Sequence, residues 1–151
     1  MQLIDVDELK APIAAGLGVE FDGPADANDG CDLVIHASAS SAGLTRSLAL
    51  LATDGRVVDL SWYGDRAVTV PLGEDFHVRR LTIRSSQVGT VSPATQGRRS
   101  YADRLALSLA LLADPAFDVL LTGTSAFEEL PALLPRLVDG SQSALCHVVN
   151  Y

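Results

Sequence analysis

Two short apolar segments separated by a helical segment constrain the fold of this sequence more than any other feature. The first, from Asp32 to Ala37, is rich in β-branched residues and does not alternate with polar ones, which predicts a buried strand. The second, from Arg56 to Leu60, has the same character, and Gly55 is expected to close the helix that precedes it. Strand–helix–strand order predicts parallel strands joined by right-handed crossovers, and therefore an α/β fold.

The same alternation of elements extends to both ends of the chain. Ser100 and Asp103 have the spacing of a capping box, which predicts the start of a helix that Pro115 ends. Pro131 and Pro135 fall inside the last predicted helix and are expected to bend it. Further strands are predicted at 3–6, 19–21, 81–86, 118–122 and 144–150, and helices at 8–18, 38–55, 100–114 and 125–140.

Apolar periodicity also predicts where the core and one sheet edge lie. Leu44, Leu48 and Leu51 recur at helical spacing, and the leucines from 105 to 112 do the same, so both sets are expected to be buried. The segment RAVTVPL, which begins at Arg66 and ends at Leu72, alternates and contains a proline, as edge strands do.

Charge and hydropathy exclude several classes of partner. Nineteen acidic residues against eleven basic ones give a net charge of -8, which would repel a nucleic acid. A basic amphipathic stretch for an anionic membrane is lacking, and apolar runs such as LALSLALLA are far shorter than the roughly 20 residues of a membrane span. The opening MQLIDVDELK does not have the pattern of a signal peptide.

The cysteines and histidines do not form a recognisable metal motif. Cys31 and Cys146 are isolated, which favours two buried, reduced thiols in the cytoplasm over a disulfide. None of the three histidines pairs with a cysteine at ligand spacing, so we expect no zinc site. His36 lies in an apolar strand and is expected to be a buried, hydrogen-bonded histidine, whereas His77 and His147 lie elsewhere in the chain.

Four stretches, taken in order, carry a resemblance to a known family. They are LIDVDELKAPIAAGLGVEF, DLVIHASASSAGLTRSLALLATDGRVVDLSWYGD, VPLGEDFHVRRLTIRSSQVG and DVLLTGTSAFEELPALLPRLVDG. Together they resemble the zinc-type medium-chain alcohol dehydrogenases, from the second strand of the nucleotide-binding domain to the C-terminus. The segment SWYGD is most similar to a bacterial subgroup that includes bacteriochlorophyllide-dehydrogenase-like proteins.

The resemblance implies a partial Rossmann fold. The family's strand order is 3-2-1-4-5-6, and its first strand leads into the G-x-G-x-x-G turn that holds the cofactor pyrophosphate. Neither that strand nor that turn is matched here, and the family's zinc ligands are not matched either. The resemblance divides the chain into a partial nucleotide-binding domain at 1–117 and a segment at 118–151 that returns to the catalytic domain.

By the same resemblance, NAD(P) is the expected cofactor. Asp5 matches the carboxylate that binds the adenosine ribose and favours NAD, with a helix-capping role as the alternative. Lys10 matches a base near that ribose, with a solvated lysine as the alternative, and Trp62 could instead pack at an interface. Arg98 and Arg99 are expected to be solvated. The residues matched to the adenine and nicotinamide sides are Ala37, Ser38, Leu60, Ser61, Trp62, Ser85, Ser86 and Gln87.

The expected function follows from the dehydrogenase family features that this sequence matches and from those that it does not match. Without a matched catalytic residue or glycine turn, we expect a dehydrogenase-like chain that is inactive alone. A non-catalytic assembly module, one half of a split oxidoreductase and a truncated product are the alternatives. The family's edge-strand contact implies a homodimer through residues 66–72, and a split enzyme implies a completing chain that carries the missing strand.

Overall fold

The computed structural model describes residues 1–73 and 75–151 of the chain. Its strands lie in three parallel sheets, which confirms the predicted α/β class. The first sheet pairs β1 (Gln2–Ile4) with β2 (Glu20–Asp22). The central sheet contains β3 (Cys31–His36), β4 (Leu51–Asp59) and β5 (Thr82–Ser85) in that order, and the third pairs β6 (Leu121–Ala126) with β7 (Cys146–Asn150).

Helices begin where the sequence offers a capping side chain. Asp7 accepts a hydrogen bond from Leu9 N at 3.1 Å, and Ser100 and Asp103 form the predicted capping box. Pro131 lies in the first turn of the last helix, where a missing N–H is tolerated, and Pro135 lies inside it. The helices are α1 (Ala11–Gly16), α2 (Ser41–Ala49), α3 (Asp75–Val78), α4 (Tyr101–Leu112) and α5 (Leu130–Val138), with 3-10 turns at Glu8–Lys10, Pro115–Leu120 and Phe127–Glu129.

One face of the central sheet forms the main core. Helix α2 packs on this covered face and contributes Leu44 and Leu48, which contact Leu51, Val57 and Leu81. Val57, two residues before the end of β4, is fully buried. Because neighbouring residues of parallel strands in register point to the same side, Val34 of β3 and Ile83 of β5 join Val57 on this face.

The opposite face of the central sheet is open. Leu33 and Ile35 of β3 are 53% and 63% exposed, and their register partners on β4 are Arg56 and Val58. A strand at 32–37 was expected to be buried on both faces, and that expectation is wrong for this chain. We use the name open face for Leu33, Ile35, Arg56 and Val58.

The boundary between α2 and β4 differs from the prediction. The helix ends at Ala49, so Leu51 starts the strand instead of extending the apolar face of the helix, and Gly55 lies inside β4. The pairing register shifts in this region, and Asp54 has a φ of 64°. A Cβ on Gly55 would lie 2.8 Å from the carbonyl oxygen of Ala52, so the irregular strand requires glycine there.

Two further expectations are corrected. The leucines of α4 were predicted to be core, but their exposed fractions run from 45% at Leu107 to 62% at Leu105, and α4 contributes no buried residue. The segment at 66–72 does not form a strand, and none of the described strands pairs with it. The alternation of apolar and polar residues in this segment still has a structural basis, because Val68 and Val70 pack against the core.

The sheet order fits the partial Rossmann fold. β2–β1 and β3–β4–β5 correspond to strands 3-2 and 4-5-6 of the resemblance, and the described residues place no strand between β1 and β3. The loop after β2 is tied to α2 instead, because Arg46 Nε donates to the carbonyl oxygen of Pro24 at 2.6 Å. The free edges of β1 and β3 therefore carry unpaired backbone groups.

Candidate functional site

The carboxyl ends of the three central strands meet at one edge of the sheet. Leu60 N donates to the carbonyl oxygen of His36, and Ser86 N donates to that of Asp59, both at 2.8 Å. The loops that follow the strands therefore lie side by side, as parallel pairing requires. This edge carries Ala37 and Ser38 after β3, Leu60, Ser61 and Trp62 after β4, and Ser85, Ser86 and Gln87 at the end of β5.

A buried histidine–aspartate pair joins the ends of β3 and β4. His36 and Asp59 are register partners, and their side chains are only 4% and 11% exposed. His36 Nδ1 lies 3.0 Å from Asp59 Oδ1. Burial alone would raise the pKa of the Asp59 carboxyl, but hydrogen bonds from His36, Ser61 and Tyr63 outweigh burial and lower that pKa. Since the carboxylate accepts, His36 Nδ1 carries the proton.

The other ring nitrogen of His36 faces a serine. With the proton on Nδ1, Nε2 of a neutral His36 is an acceptor, and it receives a hydrogen bond from the Ser38 hydroxyl at 2.8 Å. Ser38 Oγ also lies 3.0 Å from Ser40 Oγ, and Ser40 Oγ accepts from Gly43 N at 3.0 Å to cap α2. Asp59, His36 and Ser38 thus form a continuous hydrogen-bonded chain that ends at the exposed Ser38.

Gly43 makes room for this arrangement. A Cβ at position 43 would lie 2.2 Å from Ser38 Oγ and 2.9 Å from His36 Nε2. Any larger residue would therefore displace the Ser38 hydroxyl or the imidazole. Ala39 has a φ of 50°, which is uncommon for a residue with a side chain, and its backbone N–H donates to Ser61 Oγ at 3.1 Å.

The loop after β4 completes the shell around Asp59. Ser61 N donates to Asp59 Oδ1 at 3.0 Å, and the Tyr63 hydroxyl donates to Asp59 Oδ2 at 3.1 Å. Burial raises the pKa of Tyr63, and the neighbouring Asp59 carboxylate raises it further while Ser61 opposes both. The Tyr63 ring stacks on His36 with ring centroids 6.4 Å apart. The carboxylate is therefore held in a fixed position under the imidazole.

Asp5 and Lys10 form a separate group beside the first sheet. Lys10 Nζ lies 2.7 Å from Asp5 Oδ2, and Asp7 N donates to Asp5 Oδ1 at 3.0 Å. Burial would raise the pKa of Asp5, but the hydrogen bond from Lys10, its charge and the backbone N–H of Asp7 lower it. The structure brings Asp5 and Lys10 together, and none of the described hydrogen bonds joins them to the His36 group.

The predicted cofactor residues are therefore only partly connected. Ser38 and Ser61 meet around His36, with Ser61 Oγ 3.2 Å from His36 Nδ1. Trp62 extends into solvent at 85% exposure, so it does not pack within this chain. For Ala37, Leu60, Ser85, Ser86 and Gln87 the structure gives a place at the shared edge, and their roles stay predictions.

Sequence reasoning identified His36 as a buried, hydrogen-bonded histidine but missed its partners. Asp59, Tyr63, Ser40 and Gly43 were not selected. One signal was available, since His36 and Asp59 directly follow the apolar residues at 33–35 and 57–58 near the ends of two predicted strands. Parallel strands that end together place such residues side by side.

Among residues 1–73 and 75–151, no group of three or more His, Cys, Asp or Glu side chains has the geometry of a metal site. His147 instead hydrogen-bonds Ser125 Oγ through Nε2 at 3.0 Å. Cys31 and Cys146 are free, but the expectation that both are buried is wrong, because Cys31 is partly exposed and Cys146 is exposed. In the described part of the chain, no helix combines the length and the apolar character that crossing a membrane requires.

Known proteins share this fold at low sequence identity. L-idonate 5-dehydrogenase from Escherichia coli superposes with a TM-score of 0.73 at 17% identity, over 99% of this chain and 42% of that one. A putative zinc-binding dehydrogenase from Clostridium scindens gives 0.70 at 16%, over 99% and 42%. An oxidoreductase from Salmonella enterica, solved in complex with NADP, gives 0.69 at 14%, over 99% and 46%.

These likenesses establish the fold. No protein-family model matches the sequence, and no curated protein matches it significantly. The chain spans less than half the length of the solved structures it matches. Within that span, it has the fold of a part of the zinc-type medium-chain dehydrogenases.

Proposed function

We propose that this chain forms the adenosine and nicotinamide sides of an NAD(P)-dependent, zinc-type alcohol dehydrogenase and lacks activity by itself. The observation that carries the proposal is the strand order, in which β1 and β3 are both edge strands and leave the place of one central strand open. The reaction of the complete site is hydride transfer between the nicotinamide ring and an alcohol or carbonyl carbon, chemistry that a bound cofactor supplies.

The residues of this chain fit part of a dinucleotide. The Asp5 carboxylate stays ionised next to Lys10, so it can accept hydrogen bonds from ribose hydroxyls, and its charge favours NAD over a 2′-phosphate. Ser38, Ser61 and Gln87 belong to the three loops that follow the central strands. These loops lie at the carboxyl edge of the sheet, where open α/β sheets bind ligands. The subgroup suggested by SWYGD stays a prediction.

Two parts of the dehydrogenase site do not fit these residues. The sequence does not contain G-x-G-x-x-G, so the backbone amides that would hold a pyrophosphate are missing from it. Each hydrogen bond to a charged oxygen contributes roughly 1.5–3 kcal/mol, and the loss of several weakens binding by orders of magnitude. The described residues do not provide a zinc donor set either, so we assign no step to zinc in this chain.

Calorimetric titration of the 151-residue chain with NADH tests the proposal. We expect a dissociation constant weaker than about 1 mM, which corresponds to about 4 kcal/mol of binding free energy. Micromolar binding that disappears in Asp5→Ala would contradict the predicted loss of function. An Asp65→Ala variant is the matched control, because Asp65 is an exposed carboxylate away from the first sheet.

A second candidate is a non-catalytic assembly module, or one half of a split enzyme. The open face and the exposed leucines of α4 favour it, because exposed apolar surface of this kind marks association sites. We propose a homodimer through residues 66–72 or, for the split enzyme, a completing chain beside β1 and β3. Light scattering that gives a mass near 15.9 kDa at micromolar concentration would rule out the homodimer. The free thiols fit a cytoplasmic location.

A further inference from the structure

We propose that Asp59, His36 and Ser38 form a nucleophilic site that cleaves small carboxylic esters through an acyl-serine intermediate. The inference does not depend on the dehydrogenase proposal, because it uses only contacts within this chain. Three groups act in line: Asp59 Oδ1 is 3.0 Å from His36 Nδ1, and His36 Nε2 is 2.8 Å from Ser38 Oγ. Both distances are within the reach that an activated serine requires.

The tautomer of His36 suits a general base. The ionised Asp59 holds the proton on Nδ1, which leaves the lone pair of Nε2 directed at the Ser38 hydroxyl. Asp59 is fixed by the backbone N–H of Ser61 and by Tyr63, so the carboxylate cannot rotate away without losing both hydrogen bonds. An imidazolium formed at His36 would be stabilised by this carboxylate.

The nucleophile is accessible although its base is buried. Ser38 is exposed, so an ester can approach its hydroxyl from solvent, and the His36 side chain, which is 4% exposed, meets the reacting groups through Nε2, 2.8 Å from that hydroxyl. Ser38 lies against the first turn of α2, as the Gly43 geometry requires. The N–H groups of Ser41 and Ala42 in that turn have no intrahelical acceptor and can stabilise developing negative charge.

The reaction balances with water as the only co-reactant. Ser38 Oγ forms a bond to the ester carbonyl carbon while its proton passes to His36 Nε2. The tetrahedral intermediate collapses, the carbon–oxygen bond of the ester breaks, and the alcohol leaves with the proton from Nε2. Water then attacks the acyl-serine and gives one proton to Nε2. The bond between Ser38 Oγ and the acyl carbon breaks, Nε2 returns that proton to Ser38 Oγ, and the carboxylic acid and free Ser38 are released.

Labelling of the folded chain with a fluorophosphonate, mapped by mass spectrometry, is the primary test. We expect Ser38 to react at least about 100-fold faster than Ser92, since general-base assistance contributes 10²–10⁴-fold. Ser92 is an exposed serine whose hydroxyl makes no hydrogen bond to the described residues. Equal rates at Ser38 and Ser92, or equal rates in native and urea-unfolded protein, would overturn the proposal and leave the network as a clamp between strands.

Release of p-nitrophenol from p-nitrophenyl acetate gives a second measurement. Ser38→Ala should lose the activity, His36→Gln should lose about 100-fold or more, and Ser92→Ala should retain it. Gly43→Ala should lower the rate as His36→Gln does, because the added methyl occupies the place of the Ser38 hydroxyl. Retained activity in Ser38→Ala would overturn the proposal.

A cysteine variant keeps the test decisive if His36→Gln does not fold. In Ser38→Cys the introduced thiol should be ionised by His36 and alkylated by iodoacetamide at about pH 6 at least about tenfold faster than Cys146, the exposed thiol of the same chain. A folded Ser38→Cys chain in which the introduced thiol reacts no faster than Cys146 would overturn the proposal.

Discussion

The two faces of the central sheet have similar strand residues and opposite surroundings. On the covered face, Val57 is fully buried beneath α2, while on the open face Ile35 is 63% exposed. Both residues belong to strands whose apolar runs are typical of sheets covered on both sides. The strand sequences are therefore typical of a sheet that is packed on both faces, and within this chain α2 packs on one of them.

A matched pair of leucine truncations should show the largest difference between the faces. Leu51→Ala removes a side chain that is 1% exposed and should lower the free energy of unfolding by about 3 kcal/mol. Leu33→Ala, at 53% exposure, should lower it by about 1 kcal/mol or less. Urea denaturation measures both. Equal losses would mean that the open face is covered in solution, and a dependence on protein concentration would identify another copy as the cover.

The hydrogen-bonded pair of His36 and Asp59 on the covered face should give the next largest effect. Asp59→Asn removes the charge from a carboxylate that accepts from His36, Ser61 and Tyr63, and should lower the free energy of unfolding at pH 7 by about 2 kcal/mol. Asp65→Asn, which changes an exposed carboxylate in the loop after β4, should change the free energy of unfolding by about 0.5 kcal/mol or less.

The loss of unfolding free energy in Asp59→Asn should depend on pH, because the pKa of Asp59 is lowered in the folded chain. A folded-state pKa below the unfolded value of about 3.9 stabilises the fold above that pH, and the stabilisation is lost as the pH falls through the folded pKa. The difference in the free energy of unfolding between wild type and Asp59→Asn should therefore decrease as the pH falls from about 5 to about 3. A constant difference over this range would show that the charge of Asp59 does not contribute.

The smallest effect is expected at α4. Like the open face, this helix has exposed apolar residues and no buried residue. Without a buried residue, α4 depends on its cap, so Ser100→Ala should increase hydrogen exchange in the first turns of α4 about fivefold. Ser108→Ala, on the same helix, should not increase it, because Ser108 bonds only the carbonyl oxygen of Arg104. No change in Ser100→Ala would mean that another surface holds α4.

Local patterns predicted most elements because their signals lie within a few residues. The capping box at Ser100 and the β-branched run before His36 are such signals, and both elements formed. The start of β4 at Leu51 was missed because a bulge at Asp54 and Gly55 resembles a helix end in sequence. The leucines of α4 were predicted to be core because periodicity reports an apolar face, not the presence of a partner.

The candidate site was less predictable than the fold. Ser38 and Ser61 were selected from the resemblance, whereas the hydrogen bonds that join them depend on the register of β3 with β4. That register pairs His36 with Asp59 across 23 positions of sequence, which no local pattern specifies. Tyr63 and Ser40 can be recognised as part of the site only when the pairing of His36 with Asp59 is known.

Gly43 gives the site an unusual sensitivity to side-chain size. The space beside Ser38 admits a hydrogen atom but not a methyl group, so the hydroxyl is located by a steric limit as well as by its hydrogen bonds. One added carbon here would separate Ser38 from His36, although Gly43 lies in α2 and takes no part in the strand pairing. Position 43 therefore offers a way to lower the reactivity of Ser38 by adding a single methyl group at a residue outside the sheet.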